Sequence, residues 1–366
     1  MRNHFVRSSL ATQTGEILDV DEVFGALAYT GSGSNGSGKS LTFGAGVDML
    51  GKGGMGWVKN RTSSSTSHIM QDTVRGIGGS TSNSNGLTGV ISSNSQAGSG
   101  YSTNPQGTIK EFTSTGYKVV RGSSNSLSCT NDNFSSYIAY AFRKAAGFFD
   151  IQTWTGNGVS GREIGHDLDS VPGAIWIKKL SGSSKDWWCY HRQTASSSPE
   201  DYYLVLNETD SKVDQSSFMN DQEPTSTHFT LGNSDNVNEN GHTHVAYIFG
   251  HNDARFGSSR DKSIIHCGGY YGNGSSNGTT VNIGWRPQFL IFKNPSHGSM
   301  NWRMYDTARG INSGTDPRLM PNTDGSEQNT FDKLDLTSTG FQLQHTGSDM
   351  NQNNTLITYI AIREPW

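Results

Sequence analysis

The chain has 366 residues, of which 16% are charged and 45 are glycine, and its formal net charge is −4. This balance gives no reason to expect nucleic acid or an anionic membrane surface as a partner, since both favour basic patches, and the shortage of strong helix formers argues against a helix-bearing α/β enzyme. The 8 Trp, 13 Tyr and 16 Phe residues can form a core that disordered chains lack, so we expect an all-β protein with long polar loops.

Residues 1–27 form a predicted N-terminal arm. The stretch "RNHFVRSSLATQTGEILDVDEVF" mixes apolar and charged residues without a clear period, which suits a segment that folds against a partner chain. It has no apolar run of signal-peptide length, and no segment of the chain reaches the roughly 20 apolar residues of a membrane span. We therefore expect an arm that binds another protein or a neighbouring subunit, and no membrane insertion.

The next stretch, "GSNGSGKS" at residues 33–40, satisfies the phosphate-binding P-loop pattern with Gly38, Lys39 and Ser40. A P-loop needs a helix that starts at the Lys-Ser pair. The following segment, "LTFGAGVDMLGKGGMGWVKN", contains six glycines, and each would cost about 1 kcal/mol in a helix relative to alanine. The pattern therefore indicates a surface glycine turn with a solvated Lys39, and no nucleotide cofactor is expected.

Two blocks recur along the chain in the same order. "AYTGSGSNG" from Ala28 returns as "TWTGNGVSG" from Thr153 and "GYYGNGSSNG" from Gly269. The second block reads "GMGWVKN", "GAIWIKK" and "QFLIFKN", and it places Lys59, Lys178 and Lys293 at one position, 119 and 115 residues apart (178 − 59 and 293 − 178). Repeats two and three have no Gly-Lys-Ser at the glycine turn, so the lysine at that turn belongs to repeat one alone.

Two further blocks complete each repeat. "FTSTGYKV" from Phe112 matches "LTSTGFQL" from Leu336 and more loosely "STHFTL" from Ser226, and "YIAYAF" matches "HVAYIF" and "LITYIAI". This alignment predicts three domains of about 110 residues, at 28–150, 151–260 and 261–366. It also predicts two sets of equivalent core residues: Trp57, Trp176 and Ile291, and Tyr140, Tyr247 and Tyr359.

Each repeat is predicted to be a β-sandwich. "AIWIKK" and "FLIFKN" are short apolar runs of branched and aromatic residues, typical of buried strands, and Gly, Asn and Ser turns separate them. One flat sheet could not bury both faces of such runs, so two packed sheets are required. The expected fold is all-β, with three tandem β-sandwich repeats of a jelly-roll or lectin-like kind.

The succession of these blocks resembles a repeat found in virion proteins of tailed bacteriophages, especially tail-fibre-like proteins of marine phages. The resemblance covers residues 28–366 and is carried by "GYYGNGSSNGTTVNIGWRPQFLIFKN", "NWRMYDTARG", "RLMPNTDGSE", "LDLTSTGFQL" and "TYIAI". It implies a virion structural protein built from β-sandwich modules, and it supplies no catalytic or ligand residues. Repeat one departs from the pattern in the long loop from Ile77, where repeat three is compact.

Other residue groups favour structural roles. His242 and His244, with His266 and Cys267, could bind a metal, but the positions equivalent to His244 are Tyr137 and Leu356, which favours a histidine at the edge of the core. "NSDNVNENG" from Asn233 lacks EF-hand spacing and is better explained by turn chemistry. Asp72 and Asp306 share a "DTxRG" element that favours a local salt-bridged turn. Cys129, Cys189 and Cys267 form no CxxC pair and are expected to be buried thiols.

We therefore predict no catalytic, cofactor-binding or metal-binding residues and no enzyme activity. The expected function is a virion structural protein, either a tail-fibre or receptor-binding component or a decoration protein on the capsid or tail. A carbohydrate-binding module and a polysaccharide depolymerase are the alternatives of another class. The expected partners are other virion proteins through the N-terminal arm, further copies of the chain in a homo-oligomer, and a host surface glycan.

Overall fold

The structure is a computed structural model that describes residues 16–44, 46–75, 89–98, 106–122, 128–311, 314–331 and 333–366. Antiparallel strands and turns dominate it, which confirms the predicted all-β fold. The helical segments in these ranges are two 3-10 turns at Val20–Glu22 and Pro199–Asp201 and one α-helical turn, α1, at Asp235–Asn238. None of the helices in these ranges is long and apolar enough to cross a membrane.

The described residues of the first segment, lobe 1 (24–143), contain seven strands: β1 (Phe24–Thr30), β2 (Lys39–Thr42), β3 (Gly54–Asn60), β4 (Ile69–Asp72), β5 (Thr108–Thr113), β6 (Gly116–Val120) and β7 (Ser136–Arg143). They form a four-stranded sheet of order β1-β7-β3-β4 and a three-stranded sheet of order β2-β6-β5. The two sheets enclose an apolar core of their own, so lobe 1 is a β-sandwich.

Lobe 2 (149–249) follows the same plan with β8 (Phe149–Thr155), β9 (Arg162–Gly165), β10 (Ala174–Lys179), β11 (Trp188–His191), β12 (Tyr202–Val205), β13 (Val213–Asp214), β14 (His228–Leu231) and β15 (Thr243–Phe249). Its large sheet has the order β13-β12-β11-β10-β15-β8, and β9 pairs with β14 in the small sheet.

Lobe 3 (265–363) contains β16 (Ile265–Tyr271), β17 (Thr280–Asn282), β18 (Pro287–Lys293), β19 (Arg303–Asp306), β20 (Leu334–Thr337), β21 (Gly340–Leu343) and β22 (Leu356–Arg363). Its sheets have the orders β16-β22-β18-β19 and β17-β21-β20. The order β1-β7-β3-β4 of lobe 1 thus corresponds to β8-β15-β10-β11 in lobe 2 and to β16-β22-β18-β19 in lobe 3.

The central strand of each large sheet is buried on both faces. Every residue of β3, β10 and β18 is buried, because one face packs on the small sheet of the same lobe and the other packs on the other two lobes. The inward-facing residues of all three lobes belong to one shared core. Three sandwiches therefore surround a common apolar centre, and each also has a private core.

Equivalent ends of the three large sheets meet in this shared core. The ring of Phe142 in lobe 1 lies 6.0 Å from that of Phe249 in lobe 2 and 6.1 Å from that of Phe289 in lobe 3. The N-terminal segment and the connections between lobes line one cleft beyond these rings. We call this the connector end. The glycine turns after β1, β8 and β16 lie at the other end of the strands, the turn end.

The alignment of the third tyrosine is wrong by one residue. Trp57 faces Tyr140 across the sheet, and Trp176 faces Tyr247, but Ile291 faces Ile360. Tyr359 lies opposite Phe292 and points into the private core of lobe 3. The residue equivalent to Tyr140 and Tyr247 is therefore Ile360, because a shift of one residue reverses the side of the sheet that a side chain occupies.

The strands begin earlier than the predicted domains. β1 starts at Phe24 and β8 at Phe149, so the predicted starts at 28 and 151 fall inside strands. Residues 16–27 do not form a separate arm, because Leu18, Val20 and Val23 are buried in the shared core. The remaining part of the predicted arm, residues 1–15, lies outside the described residues.

Candidate functional site

The stretch at residues 33–40 is a turn between two strands. Lys39 begins β2, with its backbone opposite Val119, and Ser40 continues that strand. No helix starts at the Lys-Ser pair, so the N–H groups that would bind a phosphate at a helix N-terminus are missing there. The structure confirms the turn predicted for this stretch and provides no P-loop.

A buried asparagine fixes the glycine turn in each lobe. Asn131 accepts a hydrogen bond from Ser32 N at 2.9 Å, and its amide donates to Ser34 O at 3.1 Å. Asn238 makes the same pair of bonds with Asn157 N and Val159 O, and Asn351 makes it with Asn273 N and Ser275 O. All three side chains are fully buried. The recurring turn therefore depends on an asparagine about 80 to 100 residues away in sequence.

The glycines are needed because the asparagine loop lies against them. A Cβ on Gly31 would be 1.8 Å from Asp132 O, and one on Gly156 would be 2.1 Å from Glu239 O. Two residues later, Gly33, Gly158 and Gly274 have φ of 70°, 70° and 65°, which favours glycine. The "TGxG" block is thus explained by packing.

The histidines singled out in the sequence are divided between lobes 2 and 3. His244 is buried, its ring stacks on Trp154 at 5.5 Å, and burial lowers its pKa to about 4. His242 lies beside Ser181 Oγ at 3.3 Å. His266 and Cys267 are in lobe 3. No group of three or more His, Cys, Asp or Glu side chains in the described ranges is placed to hold a metal ion.

Two further predictions concern the segment from Asn233 and the cysteines. Ser234 caps α1 by accepting a hydrogen bond from Asn236 N at 3.3 Å, and Asn238 is engaged in the glycine-turn contact, so turn chemistry accounts for these polar groups. Cys129, Cys189 and Cys267 are buried free thiols, as predicted. Burial raises the pKa of Cys129 to about 12, so this thiol is unreactive at neutral pH.

The two "DTxRG" elements form buried ion pairs at the contacts between lobes. Asp306 accepts from Arg309 Nε at 2.5 Å, and both side chains are fully buried. Tyr140 of lobe 1 donates its hydroxyl to Asp306 Oδ2 of lobe 3 at 2.6 Å. The salt-bridged turn was predicted, but its partner across the lobes was not.

The contact between lobes 2 and 1 repeats this arrangement. Asp72 pairs with Arg75 in lobe 1, and Tyr247 of lobe 2 donates to Asp72 Oδ2 at 2.8 Å. At the third contact, His191 occupies the position of the aspartates and its Nε2 lies 3.0 Å from Tyr359 O of lobe 3. The three contacts therefore run in one direction around the shared core.

The three repeat lysines follow the same cyclic pattern. Lys59 donates to Asp324 O of lobe 3 at 3.1 Å, Lys178 to Gln96 O of lobe 1 at 2.7 Å, and Lys293 to Thr209 O of lobe 2 at 2.8 Å. Each ammonium is fully buried and also reaches a residue seven positions later in its own lobe. The lysines thus bind the neighbouring lobe through main-chain carbonyls.

A ring nitrogen adds a second bond to each lobe contact. Trp187 Nε1 donates to Ser92 O of lobe 1, and Trp302 Nε1 donates to Val205 O of lobe 2, both at 2.9 Å. His68 takes this place in lobe 1, where its Nδ1 accepts from Trp57 Nε1 and its Nε2 lies 3.2 Å from Met320 O of lobe 3. We call the aspartate, lysine and ring contacts together the lobe lock.

Burial lowers the pKa of the lock lysines to about 8 for Lys59, about 7 for Lys178 and about 8 for Lys293. An unfolded lysine has a pKa of about 10.4. Between these values the unfolded chain binds more protons than the folded chain, so the free energy of unfolding rises with pH. These lysines therefore make the folded chain more stable in mildly alkaline solution than at neutral pH.

We expect Lys178→Met to remove part of this pH dependence. The wild type should gain up to about 1.4 kcal/mol per pH unit from Lys178 between about pH 7 and 10, and the variant should lack that gain. Urea unfolding at several pH values measures the difference, with Lys262→Met as the matched control on a half-exposed lysine. Equal pH slopes for wild type and Lys178→Met would contradict the assignment.

The connector end contains a cleft of about 430 Å³. Arg143 pairs with Glu16 at 2.6 Å and Arg255 pairs with Asp169 at 2.8 Å, so ion pairs join the N-terminal segment to lobe 1 and the connector before lobe 3 to lobe 2. Lys144 pairs with the buried Asp150 at 2.9 Å. The ion pairs around the cleft therefore hold in place the segments where the chain passes from one lobe to the next.

The chain matches a family described as "Domain of unknown function (DUF7483)" over residues 19–365 and belongs to that family. The match includes all three lobes and the buried segment before β1. The family unit is therefore the whole three-lobed body. Among curated proteins and solved structures, no match to the chain was found.

Proposed function

We propose that this member of the family is a structural protein of a tailed-bacteriophage virion, a tail-fibre or receptor-binding component that binds and supports without catalysis. The observation that carries the proposal is the lobe lock. It fastens three sandwiches around one core with buried ion pairs and carbonyl contacts, which suits a body that must keep its shape outside a cell. The succession of sequence blocks that resembles tail-fibre-like proteins supports the same assignment.

The two ends of the body differ in structure, and we propose that they differ in function. The connectors and the N-terminal segment gather at the connector end, while the glycine turns, held by buried asparagines, face solvent at the turn end. Rigid loops on a rigid scaffold are the usual place for binding residues. We therefore place recognition of a host at the turn end and attachment to other virion proteins or further copies of the chain elsewhere.

Particles of a phage whose genome encodes the chain provide the test. We expect mass spectrometry of density-banded particles to find the chain at a fixed copy number, and gold-labelled antibodies to mark the tail. Label spread over the capsid or along the tail would instead indicate a decoration protein. Absence from the particles, with the chain present in the infected-cell lysate, would refute a virion role, and new reducing ends in host polysaccharide treated with the purified chain would indicate a depolymerase.

A further inference from the structure

The loop that carries the buried asparagine has the same backbone path in all three lobes. Its tip residue is Phe134 in lobe 1, Gly241 in lobe 2 and Asn354 in lobe 3, with φ of 62°, 76° and 53°. The flanking bonds also correspond: Gly31 N donates to Ser135 O in lobe 1, as Gly156 N does to His242 O in lobe 2. The three tips therefore differ in side chain but not in conformation.

Only lobe 1 places an unsuitable residue at this position. Glycine adopts positive φ at no steric cost, and asparagine is several-fold enriched there, whereas a bulky residue at positive φ is an outlier. The folded chain therefore carries backbone strain at Phe134 that its two counterparts avoid. Strain of this kind persists where the surroundings over-determine the conformation and is a reason to look for function.

Packing does not compensate for the strain. The Phe134 side chain is 84% exposed, the highest exposure among the large apolar residues in the described part of the chain. Single exposed apolar residues are common on proteins and need no explanation. An exposed ring on a strained backbone is different, because neither the packing of the ring nor its backbone conformation stabilises the fold.

The surroundings fix the backbone of the loop that carries the ring. Gly33 N donates to Asn131 O at 3.1 Å, and Asp132 pairs with Arg121 at 3.0 Å beside the tip. Asp132, Asn133 and Ser135 give the ring a polar border. An aromatic side chain surrounded by polar residues is the arrangement found at the energetic centre of protein interfaces.

We propose that Phe134 anchors a binding site for a host-surface protein that offers an apolar pocket. The ring lies at a loop tip and is 84% exposed, so burying it requires a pocket that encloses it, and a folded protein supplies such a pocket more readily than a flat sugar face does. The tip is at the turn end, away from the connectors. This inference rests on the proposed virion function for the choice of a host protein as the partner.

The test compares binding of the fluorescently labelled full-length chain to host cells with the thermal stability of each variant. Phe134→Gly and Phe134→Asn install the residues of lobes 2 and 3, so the melting temperature should stay the same or rise by a few degrees. Binding should fall at least about 30-fold, as expected for loss of a hot-spot residue. Tyr271→Ala is the control, since Tyr271 is also an exposed aromatic residue at the turn end, at 57%, and its loss should change binding less than about twofold.

Treatment of the cells identifies the partner. Protease treatment should abolish binding and periodate oxidation should leave it intact, whereas the reverse result would indicate a glycan and overturn the proposal. Equal binding by wild type and both Phe134 variants, a lower melting temperature for them, or no binding by the wild type would also overturn it. Presence of the chain in purified particles is measured separately, so the virion role and the role of Phe134 fail independently.

Discussion

Asp306→Ala should lower the free energy of unfolding by about 3–5 kcal/mol, the usual effect of removing one partner of a buried ion pair. Arg309 is fully buried beside Asp306, and without the carboxylate its remaining contacts are Met304 O at 2.9 Å and Glu327 Oε2 at 3.3 Å. The Tyr140 hydroxyl loses its acceptor in the same step. Urea unfolding at pH 7 measures the change.

Two further variants separate the ion pair from the contact between lobes. Tyr140→Phe removes only the hydrogen bond to Asp306, and we expect it to cost about 1.5–3 kcal/mol, as for a bond to a charged group. Asp306→Ala combined with Arg309→Met should be less destabilised than Asp306→Ala alone, because no unpaired buried charge remains. A double variant at least as unstable as Asp306→Ala alone would contradict this account.

Trp176→Ala should destabilise all three lobes together, by about 3–5 kcal/mol. Trp176 is 2% exposed, and its ring lies 6.0 Å from that of Trp57 in lobe 1 and 4.6 Å from that of Phe249 in its own lobe. Because the shared core joins the inward faces of three sheets, a cavity there weakens every lobe. Hydrogen exchange should show β3, β10 and β18 losing protection to the same extent.

The same experiment tests whether the body unfolds as one unit. We expect a single thermal transition for the wild type and for Trp176→Ala, and a change within about 0.5 kcal/mol for Val213→Ala, a half-exposed residue on β13. Loss of protection confined to lobe 2, or three resolved transitions, would show that the lobes are stable separately and that the lock contributes little.

Short apolar runs sufficed to predict the central strands β10 and β18, and the alignment placed the three lysines at one structural position. The alignment failed at Tyr359 for a physical reason. A strand buried on both faces has no alternation of polar and apolar residues, so nothing in "LITYIAI" fixes which side chains face the shared core. Only the pairing with β18 sets the register.

The contacts between lobes could not be predicted from the sequence, for a different reason. Lys178 and Gln96 belong to different lobes, and the sequence of one lobe carries no sign of which neighbour it will touch or in which direction the three will be arranged. A buried ammonium bound by carbonyls also leaves no motif, because any residue can supply a carbonyl. The asparagines at 131 and 238 could have been found, since each lies nine residues before the aligned tyrosine, at 140 and 247. Asn351 lies eight residues before Tyr359 and comes into line only when Ile360 replaces Tyr359 in the alignment.

The cyclic arrangement of three lobes in one polypeptide has an evolutionary consequence. In a homotrimer a single codon specifies the same side chain in all three subunits, so a change that improves one position is imposed on its two symmetry-related copies. Here the equivalent position in each lobe has its own codon. One loop can carry an aromatic ring while the other two keep the residues that suit positive φ, so the loops at the turn end can change one at a time without altering the contacts that hold the lobes together.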